Sequence, residues 1–259
     1  MGDLAVLWHS AVAGNRAPLE LALATGSHLP GPRANLELAA RFADVAGETA
    51  ADDRDAALVL LGAWLARPAR FMAVISDEVS EFLPACAALA AGALGDRNLL
   101  TFAASDPRWR VRELAATGMQ RILTDDWSLG LDGVQTWLRS SDPLQVRAAV
   151  AAVAEPPLLH DPGRAAQAYG VIEEAMGVLL AVPAEHRRDD DVRVLRKALG
   201  YAVSVVTVAS VESGLRLLQR LAASDDPDAR WVAKENLRKA RLKPFSNRLA
   251  AAREALELH

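Results

Sequence analysis

A single cysteine, Cys86, rules out an internal disulfide framework. It lies in the apolar run Leu83-Pro84-Ala85-Cys86-Ala87-Ala88-Leu89, where a thiol is expected to be buried and inert rather than nucleophilic. Long hydrophobic runs are missing too. The longest uncharged stretches, 82–95 and 198–211, have fourteen residues each, short of the roughly twenty that a membrane span needs. The opening Met1-Gly2-Asp3 carries no basic stretch ahead of its apolar residues, so no signal peptide is expected. A soluble cytoplasmic protein without a membrane partner is the expectation. Catalytic strings are absent as well: there is no glycine-rich phosphate loop, His-Glu-x-x-His, Cys-x-x-Cys or Gly-x-Ser-x-Gly. The five histidines have no second His or Cys close by in sequence, so no metal, no cofactor and no catalytic residue is expected.

What the chain does contain is helix-forming apolar residue. Hydrophobic residues make up 51%, mostly Ala, Leu and Val, which is enough for a buried core and predicts an all-α chain. Aromatics are only 5%, yet six are Trp. The net charge of −4 argues against bulk attraction to nucleic acid or an anionic membrane, but it is unevenly spread. Residues 1–100 carry seven basic and twelve acidic side chains. Residues 230–248 hold seven basic residues against one acid, Glu235, and any anionic partner is expected there.

One phrase recurs. Ser105-Asp106-Pro107 is followed by Val111-Arg112, and Ser141-Asp142-Pro143 by Val146-Arg147. Asp189-Asp190-Asp191 precedes Val192-Arg193, and Asp225-Asp226-Pro227 precedes Ala229-Arg230. The arginines are 35, 46 and 37 residues apart, the period of two-helix repeats. In each copy an acid suits the helix cap, and proline suits the first turn, where its missing N–H costs nothing. The acids 189–191 read as a cluster that caps a helix and offsets its dipole. Val111, Leu114, Ala115, Gly118 and Ile122 then share one helical face, as do Ala229, Val232, Ala233, Asn236, Leu237 and Ala240. Amphipathic partner helices are expected over 97–104, 131–140, 163–182 and 212–223. Further helices are expected over 34–46, 56–66 and 80–94, with Pro68 as a break, and a closing helix over 246–259.

The phrase resembles the HEAT repeat, whose second helix opens Asp-x-x-x-Val-Arg and continues with Ala and Leu at helical spacing. The resemblance covers 97–242: it is close at 106–123, 142–153 and 225–240, and looser at 189–200, where Arg196 stands at a position usually small and apolar. It implies a right-handed α-α superhelix, a HEAT/ARM-like solenoid of about five or six helical pairs, in one domain over 1–259. Residues 1–96 would be degenerate repeats with an N-terminal cap, 97–242 the clearer repeats and 243–259 a capping helix. It also implies that Arg112, Arg147, Arg193 and Arg230 join ladders of ion pairs and hydrogen bonds between turns.

Two stretches are candidate sites. Arg230, Lys234, Arg238 and Arg241, spaced +4, +4 and +3, predict one basic stripe beside Trp231, able to track an anion or a phosphate backbone. The segment 230–242 is similar to the closing segment of bacterial HEAT-repeat proteins without an assigned activity, which makes Trp231, Asn236 and the stripe the expected binding surface. The second stretch is Asp106-Pro107-Arg108-Trp109-Arg110-Val111-Arg112, which resembles the Trp-basic helix openings of AlkD-type DNA alkylation-repair glycosylases, themselves HEAT-like. Trp109 and Glu113 fall four apart on one face, with Arg112 between them, although the acid is Glu where that family has Asp. The expected function is therefore a non-enzymatic interaction protein binding a protein or an extended acidic ligand on its concave face, with a DNA-binding or DNA glycosylase protein of the AlkD type as the alternative. Exposed Trp8 or Trp64 would mark a subunit of a larger assembly.

Overall fold

The computed structural model of the chain describes residues 3–67 and 77–257. Among them there are no strands. Contacts divide the chain into two compact units, Met1–Asp126 and Trp127–His259. The first contains α1 (Leu4–Val12), α2 (Ala17–Gly26), α3 (Leu36–Gly47), α4 (Arg54–Leu65), α5 (Asp77–Ala93), α6 (Arg97–Ala104) and α7 (Trp109–Asp125). The second contains α8 (Trp127–Leu138), α9 (Pro143–Val153), α10 (Pro162–Ala181), α11 (Asp190–Ala209), α12 (Val211–Ala222), α13 (Pro227–Leu237) and α14 (Ala250–Glu257). Short 3-10 turns lie at Ala51–Asp53, Pro156–Leu159 and Ala240–Phe245. Pro68 and the last two residues of the expected closing helix lie outside the described residues.

The acid-proline turns start helices by local chemistry. The Asp142 carboxylate accepts from the Leu144 N–H at 2.8 Å, and that of Asp226 from the N–H groups of Asp228 and Ala229 at 2.8 and 3.1 Å. Each satisfies donors that a helix leaves orphaned, and the following proline occupies the first turn. Asp161-Pro162 is a further copy, capping α10 through the Arg164 N–H. At Asp106 the outcome differs. Its carboxylate accepts from the Arg108 backbone N–H but also from the Arg108 guanidinium, and α7 begins at Trp109, two residues after Pro107.

The first unit is held by a close helix contact and an aromatic cluster. On α5, a Cβ added to Gly92 would sit 2.3 Å from the Gly118 Cα of α7, so these two helices touch backbone to backbone. Trp8 packs edge-on against Phe42 with ring centroids 5.4 Å apart, and Phe42 lies 5.8 Å from Trp64. Trp8 and Trp64 are both fully buried, which overturns the expectation that either is exposed for a partner. Burial is tolerated because each indole N–H has an acceptor: Thr49 Oγ1 at 2.7 Å for Trp8 and Glu20 Oε1 at 2.9 Å for Trp64. Cys86 of α5 is buried, and burial pushes its thiol pKa up, which makes it inert as expected.

In the second unit α11 is the central element, packing against α9, α10, α12 and α13. Residues 202–207 are all buried, which explains why this stretch reads as a continuous uncharged run rather than an amphipathic stripe. No described helix is long and apolar enough to cross a membrane.

Candidate functional site

Of the arginines of the repeated phrase, Arg112, Arg147 and Arg230 are half-buried and Arg193 is exposed. Arg112 Nη1 donates to the carbonyls of Asp106 and Pro107 in its own turn. Arg193 pairs with Asp190 at 3.3 Å. Arg230 reaches the carbonyls of Ala222, Ala255 and Leu256 at 3.4–3.5 Å.

The strongest ties are made by arginines that the repeat pattern did not single out. Arg108 donates to the carbonyls of Leu65, the last residue of α4, and of Arg67 just beyond it, and to Asp106. Arg187 does the same in the second unit, donating to the carbonyls of Leu180 and Val182 at the end of α10 and to Asp226. Each guanidinium therefore binds orphaned carbonyls at one helix end and an acid of the turn that leads into another helix; that acid caps its helix at Asp226 but not at Asp106. Asp228, almost fully buried, is paired with Arg196 at 2.6 Å and Arg187 at 3.5 Å. Burial pushes the Asp226 carboxyl pKa up, but the Arg187 guanidinium and the Ala229 and Asp228 N–H groups bring it below the usual aspartate value.

The C-terminal stripe is not continuous. Helix α13 stops at Leu237, Arg238 caps it, and Arg241 falls in the 3-10 turn beyond, so the +3 spacing from Arg238 no longer places it on the same face. Arg238 pairs with Glu235 at 2.7 Å, while Lys234 is exposed. Trp231 is half-buried: its ring lies against Gly200 of α11, where a Cβ would come within 2.8 Å, and the Arg196 guanidinium covers it at 4.6 Å. Asn236 corrects the expected surface outright. It is fully buried, donating to the carbonyls of Leu199 and Val232 at 2.9 and 2.8 Å and accepting from the Ser204 N–H at 2.7 Å. Every polar group of its amide is engaged inside the protein, joining α13 to α11.

Trp109 and Glu113 do come together. They line an open cavity of about 470 Å³ with Thr117 of α7 and with Pro32, Arg33 and Leu36 before and at the start of α3. Trp109 is 55% exposed and Leu36 59%. Arg110 stacks over the Trp109 ring at 4.6 Å and is itself fixed by Glu81, which takes both its backbone N–H and its guanidinium at 2.9 Å. The lining thus offers a mostly apolar wall with Arg33, Arg110 and Glu113 as its charges. Arg112 does not line it, since its side chain folds back on the 106–107 carbonyls. The helix face carrying Trp109 and Glu113 was readable from their spacing. The opposite wall was not, because Pro30-Gly31-Pro32 reads only as a break in the helical pattern. Comparison with protein-family models, with curated proteins and with solved structures returns no match.

Proposed function

We propose that the chain is a non-enzymatic helical-repeat interaction protein of the HEAT type, its helix pairs wound as a right-handed solenoid, and that it binds a segment of a partner protein. The observation that carries this reading is the cavity beside α7, an apolar hollow whose lining includes both of the exposed side chains Trp109 and Leu36. Large apolar side chains grouped in one concave patch are the usual anchor points of an interface, and Trp is prominent among residues that dominate binding energy. Arg33 and Arg110 at the rim suit a segment that places an acid next to its apolar anchor. The inward-turned Arg108, Arg112 and Arg230 support a protein ligand over a phosphate backbone, because their charge is already matched by internal acceptors.

Panning a displayed peptide library against the protein tests this. Selected peptides should quench or shift Trp fluorescence, and Trp109→Ala should weaken them at least about tenfold. If every selected peptide binds Trp109→Ala as well as wild type, the reading fails.

A second reading rests on a specific observation, that Trp109 and Glu113 line the same cavity. A carboxylate beside an aromatic wall is suited to stabilising positive charge developing on a sugar, as in an AlkD-type DNA glycosylase. Fluorescence anisotropy of a labelled duplex, titrated at low and moderate salt, separates the two. Binding that falls steeply with salt supports the DNA reading. No binding at low salt removes it.

A further inference from the structure

The second unit holds another hollow of about 470 Å³, formed by α11 with the 3-10 turns Pro156–Leu159 and Ala240–Phe245. Its walls include Pro156, Leu159, Val205 and Val208, with Val208 left 45% exposed. Among the described residues lining it, the ionisable side chains are His160 and Arg241, and neither is an acid. Asp161, next to His160 in sequence, is engaged in capping α10.

Arg241 is held by neutral groups. Its Nη2 donates to the Tyr201 hydroxyl at 2.7 Å, and its guanidinium lies 4.5 Å from the centre of the same ring. The Lys239 ammonium approaches that ring at 5.7 Å. Among the described residues, Arg241 and Lys239 have no carboxylate partner. This sets Arg241 apart from Arg187, Arg196, Arg220 and Arg248 of the same unit, each of which closes on an acid. A cation pinned in place at an apolar wall, with its charge unmatched, attracts an anion more strongly than one surrounded by water. A guanidinium fork fits a carboxylate through two parallel hydrogen bonds. The volume is that of a small-molecule site, where an apolar lining supplies contact area and a few polar groups fix orientation.

We propose that this hollow binds an organic carboxylate with an apolar body, its carboxylate on Arg241 and its body against Leu159, Val205 and Val208. Tyr201 is then a positioning residue, holding the guanidinium at the mouth. The site is separate from the cavity beside α7 and does not rest on the function proposed above.

Isothermal titration with octanoate and with 1-octanol tests it. Octanoate should bind saturably at one site, and about tenfold or more tighter than octanol, since a charged hydrogen bond is lost in the alcohol. Arg241→Gln should remove that preference for the carboxylate. Val208→Glu, at an exposed position, should abolish octanoate binding by placing a like charge in the hollow, with helical circular dichroism unchanged. Trp109→Ala should leave octanoate binding as it is. Absence of saturable octanoate uptake at millimolar concentration overturns the proposal. So does equal binding of octanol, or octanoate binding to folded Arg241→Gln within about threefold of wild type.

Discussion

Asn236 shows how much a single buried polar side chain does in this protein. Its amide bridges the Leu199 carbonyl and the Ser204 N–H, two α11 groups that would otherwise need partners inside the core. Asn236→Leu conserves approximate volume but removes all three hydrogen bonds. We expect it to cost about 1–3 kcal/mol in urea unfolding. A loss below about 0.5 kcal/mol would mean that α11 closes its own ladder without the amide. Asp226 carries the corresponding pH dependence. Unfolded, it takes up its proton near the ordinary value of about 3.9; folded, it holds out to lower pH because Arg187 and two N–H groups favour the carboxylate. Between those values the unfolded chain binds more protons, so its contribution is complete above the ordinary value and is lost as pH falls through the folded one. Asp226→Asn should flatten the acid side of the stability–pH curve of the second unit, read by urea midpoints between pH 5 and pH 2. An unchanged slope would show that the Arg187 pairing adds nothing.

At the scale of elements, the glycines divide into two kinds that sequence alone does not separate. Gly92 and Gly118 are where α5 and α7 meet, and a Cβ on Gly92 would lie 2.3 and 2.4 Å from Gly118 backbone atoms. Gly170 and Gly177 of α10 have open space where a Cβ would go. Alanine favours a helix over glycine by about 1 kcal/mol, so Gly170→Ala and Gly177→Ala should each stabilise by about 0.5–1 kcal/mol. At Gly92 the same gain is outweighed by overpacking against backbone that has no rotamer to move, and Gly92→Ala should destabilise by about 1–3 kcal/mol. Thermal midpoints of the three variants test both signs at once.

Much of the element pattern was legible in the sequence. The helix expected over 97–104 coincides with α6, and those expected over 163–182 and 212–223 match α10 and α12 to within a residue at each end. Capping chemistry at Asp142 and Asp226 was legible because cap and capped N–H are neighbours in the chain. The inter-helix ties were not. Arg187 finds Asp226 from 39 residues away, and Arg108 finds the Leu65 carbonyl from 43, distances over which periodicity carries no signal. The candidate site split the same way. Trp109 and Glu113 share a helix and were placed together from spacing, whereas Pro32, Arg33 and Leu36 reach them only through folding. The basic stripe failed at Arg241 for a local reason, a helix that ends four residues earlier than the charge pattern implied.

For the whole molecule, charge is the property that most separates the two units. The surplus of acid lies in the first, and the second is close to neutral, with seven bases against one acid over 230–248. Lys234→Glu combined with Arg238→Glu should therefore leave helicity and thermal midpoint nearly unchanged while weakening any anionic polymer bound there. Circular dichroism and the duplex titration read the two effects separately. Unfolding of the double variant would show that these side chains serve the fold.

The solitary thiol of α5 gives the protein an internal clock. Cys86 should react with a disulfide reagent when α5 opens to solvent, because burial shields the thiol and disfavours its thiolate. Its labelling rate under native conditions thus times the breathing of Met1–Asp126, while Trp127–His259 has no cysteine and stays silent. Without any introduced cysteine, opening of one half of the chain can be timed separately from the other.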